Sequence, residues 1–269
     1  MRKLVQVAIV ALMLAPSVGQ SQDFDIGLLA AQSGDFATAL REWTPLAEGG
    51  NARAQTNLGF MYEYGRGVPQ DDAEAVKWYR LAAEQGYAMA QANLGVMYDN
   101  GRGVPQDDAE AVKWYRLAAE QGDAHAQNNL GVMYDNGRGV PQDDAEAVKW
   151  YRLAAEQGYA VAQANLGFMY DNGRGVPQDD AEAVNWYRLA AEQGDAHAQA
   201  NLGIMYEYGR GVPQDFVAAH MWYDLAASTG LEKSASYRDD VAAKMLSADI
   251  SEAQRRAGSC LESNYSNCD

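Results

Sequence analysis

The chain has 269 residues, 48% of them hydrophobic, and a formal net charge of −16. So acidic a chain argues against nucleic acid as a partner, because such binding needs basic patches to neutralise phosphate, and against docking on anionic lipid. Only seven prolines occur, five of them at one recurring position, which leaves long stretches open to helix.

In chain order, the first segment has the marks of a secretory signal peptide over residues 1–19. Arg2 and Lys3 are a positive start, Val7 to Leu14 an apolar centre, and Ala15-Pro16-Ser17-Val18-Gly19 a small-residue cleavage region. Cleavage is expected after Gly19, or else after Ser21. The apolar run is shorter than the ~20 residues that span a bilayer, so the mature chain is expected to be soluble and exported, without membrane insertion. Residues 20–50 form a shortened helical unit serving as a cap: Leu28-Leu29-Ala30-Ala31 in one helix, Gly34-Asp35 as the turn, and Phe36 to Ala47 in the next.

Residues 51–230 hold five copies of one 36-residue unit, beginning at Asn51, Tyr87, Asp123, Tyr159 and Asp195. A fixed period of this length marks a solenoid, in which each unit packs on its neighbours, so the array reads as one elongated domain. In the second copy, Ala88 to Tyr98 places Ala90, Leu94 and Met97 at helical spacing. Asn100-Gly101-Arg102-Gly103-Val104-Pro105 then breaks the helix. A second helix opens at Asp107 or Asp108, with Asp107 and Glu110 as a capping box, and stops at Gly122. Its apolar arc (Ala111, Val112, Tyr115, Ala118, Ala119, flanked by Trp114) is too wide for a helix covered from one side only. The unit is thus an α-hairpin that cannot stand alone, its small residues Gly95, Ala118 and Ala119 allowing close backbone approach.

Residues 231–269 leave the pattern and read as a C-terminal helical cap, with helices over 235–245 and 251–257 and Ser251 as an N-cap. The two cysteines, Cys260 and Cys268, lie at its end. An even count in an exported chain predicts one intramolecular disulfide between them, the alternatives being two free thiols or a bridge between chains.

The motif A-x-A-Q-x-N-L-G-x-M-Y, G-R-G-V-P-x-D, A-x-x-W-Y-x-x-A-A-x-x-G, repeated five times, resembles the Sel-1-like repeat, a relative of the tetratricopeptide repeat. The resemblance implies an all-α fold, a right-handed α/α superhelical solenoid of antiparallel helix pairs. It further implies an adaptor for protein–protein interaction in bacterial envelope processes, secretion or host interaction. One branch of that family is cysteine-rich and linked to β-lactams; the repeats here contain no cysteine, and that activity is not carried over.

No chemistry-bearing motif competes with this reading. The Gly-Arg-Gly loops lack the Lys-Ser/Thr of a phosphate-binding loop, and the aspartates do not follow the alternate-ligand spacing of a calcium loop. His125, His197 and His220 have no neighbours completing a ligand or nucleophile set. No cofactor, metal or catalytic residue is expected. The alternatives are an enzyme acting on the cell wall or β-lactams, and a carbohydrate-binding scaffold. Exposure of Trp78, Trp114, Trp150, Trp186 and Trp222 would favour the latter.

A binding surface is suggested by where the copies differ. In the first helices the variable positions are the third, sixth, tenth and thirteenth of each copy, spaced so as to share one helical face. The third positions are Arg53, Met89, His125, Val161 and His197. The tenth are Phe60, Val96, Val132, Phe168 and Ile204; the sixth include Asn128, and the thirteenth run Glu63, Asp99, Asp135, Asp171, Glu207. Stacked first helices would align the third and tenth positions into a protein-binding ribbon. On this reading Leu130 lies in the core, and a charge at Asn128 is mild.

Overall fold

The computed structural model describes residues 19–265 and Cys268. The expected leader therefore lies outside the described residues, apart from Gly19. Among the described residues there are fourteen helices and no strand: α1 (Gly19–Gln32), α2 (Phe36–Glu48), α3 (Ala52–Tyr64), α4 (Asp72–Glu84), α5 (Ala88–Asn100), α6 (Asp108–Glu120), α7 (Ala124–Asn136), α8 (Asp144–Glu156), α9 (Ala160–Asn172), α10 (Asp180–Ala191), α11 (Ala196–Tyr208), α12 (Phe216–Ser228), α13 (Glu232–Ala242) and α14 (Ser247–Glu262). They fall into two compact units, one up to Ala82 and one from Ala83 onward.

In the larger unit each helix from α5 to α12 packs against the next. The hairpin is set by local chemistry. Gly101 stops α5 in the left-handed conformation, φ 65°, where an L side chain is strained. The chain turns, and the Asp107 carboxylate accepts from the N–H groups of Ala109 and Glu110 to start α6. Only half of the expected capping box forms. The Asp107 N–H goes to the Tyr98 carbonyl, and the Glu110 side chain pairs with Lys113 instead.

Packing within a hairpin rests on one close approach. A Cβ added to Gly95 would lie 2.6 Å from the Tyr115 ring, and one on Gly131 would lie 2.7 Å from the Tyr151 ring. The tyrosine fills the space that the glycine leaves, and the ring is buried with Ala111, Val112, Ala118 and Ala119. Between hairpins, a buried glutamine ties each copy to the one before. Gln127 Nε2 donates to the Ala119 carbonyl, while its Oε1 accepts from Gln157; Gln163 repeats this with Ala155 and Gln193. In the fifth copy Thr229 stands where the others have that second glutamine, and Gln199 Oε1 is left buried without a partner.

The C-terminal helices cover the end of this unit: α13 and α14 both pack on α12. Ala253, Ala257, Cys260 and Cys268 share a core with Met221 and Trp222, and Cys260 and Cys268 form a disulfide with Cα atoms 4.4 Å apart. Ser251 is not the N-cap of α14. It lies one turn inside, its Oγ donating to the Ser247 carbonyl, because a serine can satisfy its hydroxyl within a helix by back-bonding.

In the smaller unit, α1, α2 and α3 pack in sequence. Phe24, Trp43, Leu46, Leu58 and Met61 form the core, with Trp43 Nε1 donating to the Phe24 carbonyl. The Asp35 carboxylate caps α2 through the Thr38 N–H, and hydrogen bonding from the Thr38 side chain, then from its N–H, holds its pKa below the ordinary aspartate value.

Candidate protein-binding surface

The first helices of the larger unit, α5, α7, α9 and α11, carry the candidate ribbon. Asn165 of α9 donates to the Asn128 side chain of α7 at 3.0 Å. The His125 ring of α7 meets Tyr159, at the start of α9, with centroids 4.5 Å apart. On these helices the third positions point to solvent: Met89 is 53% exposed, Val161 42%, and His125 and His197 are exposed too. At the tenth positions Phe168 is 43% exposed, while Val96, Val132 and Ile204 are half-buried. Val161, Phe168 and His197 come together with Asn165 and Asn201 to line a cleft of about 340 Å³. In the smaller unit, Phe60 is 48% exposed and stacks on Tyr64, and Arg53 sits over the Phe24 ring at 4.1 Å.

Apart from Ala164, which lines the same cleft, the sixth positions do not belong to this open face, nor do the thirteenth. Thr56, Ala92, Asn128 and Ala200 are buried, so the expectation that a charge at Asn128 is mild is wrong: the side chain is enclosed and already accepts from Asn165. The thirteenth positions keep an acid, Asp or Glu, because its carboxylate has a partner inside the hairpin. Each carboxylate accepts from the tyrosine of its own hairpin: Asp99 from Tyr115 at 3.2 Å, Asp135 from Tyr151 at 3.5 Å, Glu207 from Tyr223 at 2.9 Å. Burial, reinforced by the carboxylate, pushes these tyrosines well above their ordinary pKa.

The same carboxylates receive the loop arginine of the next copy. Arg138 bonds Asp99 and also Asp108 at 2.6 Å; Arg174 bonds Asp135 and Asp144; Arg210 bonds Asp171 and Asp180. The Gly-Arg-Gly loop, read from sequence as a turn, is therefore also a clamp on the preceding copy. In the last copy Lys244 of the C-terminal cap takes over, pairing with Glu207 at 2.8 Å. A further missed feature is the unvarying seventh-position asparagine, which partly faces the open side at Asn165 and Asn201.

The tryptophans do not form an exposed aromatic platform. Trp222 is buried, and Trp78, Trp114, Trp150 and Trp186 are half-buried. His220 is buried, and burial lowers its pKa. Among the described residues no group of three or more His, Cys, Asp or Glu could hold a metal ion, and no helix is long and apolar enough to cross a membrane.

A tandem series of near-identical antiparallel helix pairs, tied copy to copy and presenting its first helices, defines an all-α repeat solenoid of the scaffold class. The Sel1 repeat family model matches residues 52–87, 88–123, 124–159, 160–195 and 196–231, each window one residue later than the frame used above. The chain belongs to the Sel1 repeat family. Among solved structures it is similar to a Sel1 repeat protein from Oxalobacter formigenes, at 38% identity over 79% of this chain and 84% of that one, with TM-score 0.75. It is also similar to a protective antigen of uropathogenic Escherichia coli strains that displays an SLR fold, at 36% identity and TM-score 0.79 over 91% of this chain. The chain spans 54% of that antigen's length. No curated protein matches the chain.

Proposed function

We propose that this chain is an exported adaptor that binds a protein partner in the bacterial envelope or outside the cell, and that it acts by binding rather than by catalysis. The observation that carries the reading is the mixture of exposed and half-buried apolar side chains on the first helices. Met89, Val161 and Phe168 stand open, and Val96, Val132 and Ile204 are half-buried on the same helices. Apolar groups on an open face, bordered by polar His125, His197 and the asparagines, are what a protein interface requires. The signal-peptide pattern of residues 1–19 supports export, and the likeness to a protective antigen is consistent with it.

The test is a crosslinking pull-down from the native cell envelope, followed by measurement of affinity for the recovered partner. Changing Val96, Val132 and Phe168 together to Ser is expected to weaken binding by at least about tenfold while the helical signal is kept. Changing Lys113 and Lys149, which are exposed on the second helices, should have little effect. Undiminished binding by the folded triple variant would refute the ribbon.

A further inference from the structure

One copy of the loop arginine differs from its equivalents. Arg138, Arg174 and Arg210 each clasp two aspartates of the preceding copy. Arg66 occupies the same place in the first copy, but the unit before it is the shortened cap. Close packing identifies what stands opposite. A Cβ on Gly139 would meet the backbone of Asp108, and one on Gly175 that of Asp144; a Cβ on Gly67 would meet Phe36. Phe36, the first residue of α2, therefore replaces the paired aspartate. The Arg66 guanidinium lies 5.6 Å from the centre of the Phe36 ring, and no described carboxylate is within ion-pairing distance of it.

Arg66 borders an apolar cleft of the smaller unit, of about 710 Å³, where Leu28, Phe36, Phe60 and Met61 form the walls and Asn57 adds an amide. Phe60 is half exposed beside it. An unmet guanidinium at the rim of an aromatic groove matches one chemistry: paired carboxylates next to a bulky apolar side chain. The two-carboxylate preference is shown by what the equivalent arginines already hold.

We propose that this cleft binds an acidic peptide segment of a partner, with an aromatic or branched apolar residue in the groove and adjacent Asp or Glu carboxylates on Arg66. This rests on the adaptor reading and specifies the partner's chemistry. A second copy of the chain is the weaker candidate, because at the other end of the array Glu207 is taken by Lys244 and Phe216 stands where an aspartate would be needed. The overall charge of −16 repels an acidic ligand at long range, but physiological salt screens this beyond about 8 Å and leaves the local contact to decide.

The experiment uses the full chain at physiological ionic strength and a dye-labelled peptide, acetyl-Leu-Phe-Asp-Asp-Leu-amide, followed by fluorescence anisotropy. The Asn-Asn analogue is expected to bind at least about tenfold more weakly. Arg66→Gln should abolish that preference, and Phe60→Ser should weaken both peptides. Arg174→Gln and the Val96, Val132 and Phe168 triple variant should keep the preference, so that failure of the ribbon and failure of the cleft are read separately. Equal affinity for the two peptides, or a preference that survives Arg66→Gln, overturns the proposal. So does binding of dodecanoate through Arg66 without peptide binding, which would make the cleft a site for anionic amphiphiles. Self-association lost on Arg66→Gln, with no peptide binding, would assign it to a second copy and likewise overturn the proposal.

Discussion

Gly131→Ala in the middle of α7 sets two effects of opposite sign against each other. In an exposed helix interior, alanine in place of glycine stabilises by about 1 kcal/mol. Here the new Cβ would lie 2.7 Å from two carbons of the Tyr151 ring and 3.3 Å from the Ala147 carbonyl oxygen. Carbon atoms sit comfortably at about 3.5–4.0 Å, so the ring must retreat by roughly 1 Å. It has little room to do so: Tyr151 is 2% exposed, and its hydroxyl is held by Asp135. Overpacking of this kind costs about 1–3 kcal/mol, enough to outweigh the gain in propensity. The expected net result is a destabilisation of about 1–2 kcal/mol, read as a lower urea midpoint by far-ultraviolet circular dichroism. A variant more stable than the parent would show that the glycine–tyrosine contact does not set the hairpin geometry.

Leu130, fully buried, should not tolerate aspartate: Leu130→Asp is expected to cost several kcal/mol. Asn128→Asp should also destabilise, by about 1–3 kcal/mol, since the side chain is buried; urea titration of both variants tests the revised placement of the sixth position. Arg174 holds the Asp144 carboxyl below its ordinary pKa, so this clamp contributes stability above the unfolded aspartate pKa of about 4 and loses it as pH falls through the lower folded value. Arg174→Gln should therefore flatten the acid limb of the stability–pH curve, and an unchanged limb would contradict the clamp. Intact mass of the protein purified from its native cells should show a chain beginning at Gln20 or Gln22 and a two-hydrogen gain on reduction of Cys260–Cys268; a retained Met1 would refute the proposed leader.

The helix pairs were legible in the sequence because their determinants are local. Gly101 and Asp107 mark a stop and a start within a few residues, and the Ala-Leu-Met spacing marks the buried face of α5. The clamp was not read because its partners are 30 and 39 residues apart, as with Arg138 and Asp108 or Asp99. An acid that is Asp in three copies and Glu in two stands out in the sequence only as a variable position. A signal was nevertheless present: all five copies keep an acid at the thirteenth position and an arginine in the loop, so only the length of the acid varies. Asn128 was misplaced for a related reason, since a single asparagine among alanines and a threonine reads as tolerance, whereas a small buried site accepts all of them. The C-terminal helices, lacking the repeat, offer only weak boundary signals: Ser251 has the side chain of an N-cap, but Leu246 occupies that place.

The central claim is that partners are held on the open face of the first helices. Photo-crosslinking tests it most directly. A photoreactive phenylalanine is placed at Phe168 or Met89 on that face and, separately, at Lys113 or Lys149 on the second helices, and each protein is irradiated in its native cells. The account predicts a discrete partner adduct from Phe168 and Met89 and none from Lys113 and Lys149; the reverse pattern would contradict it.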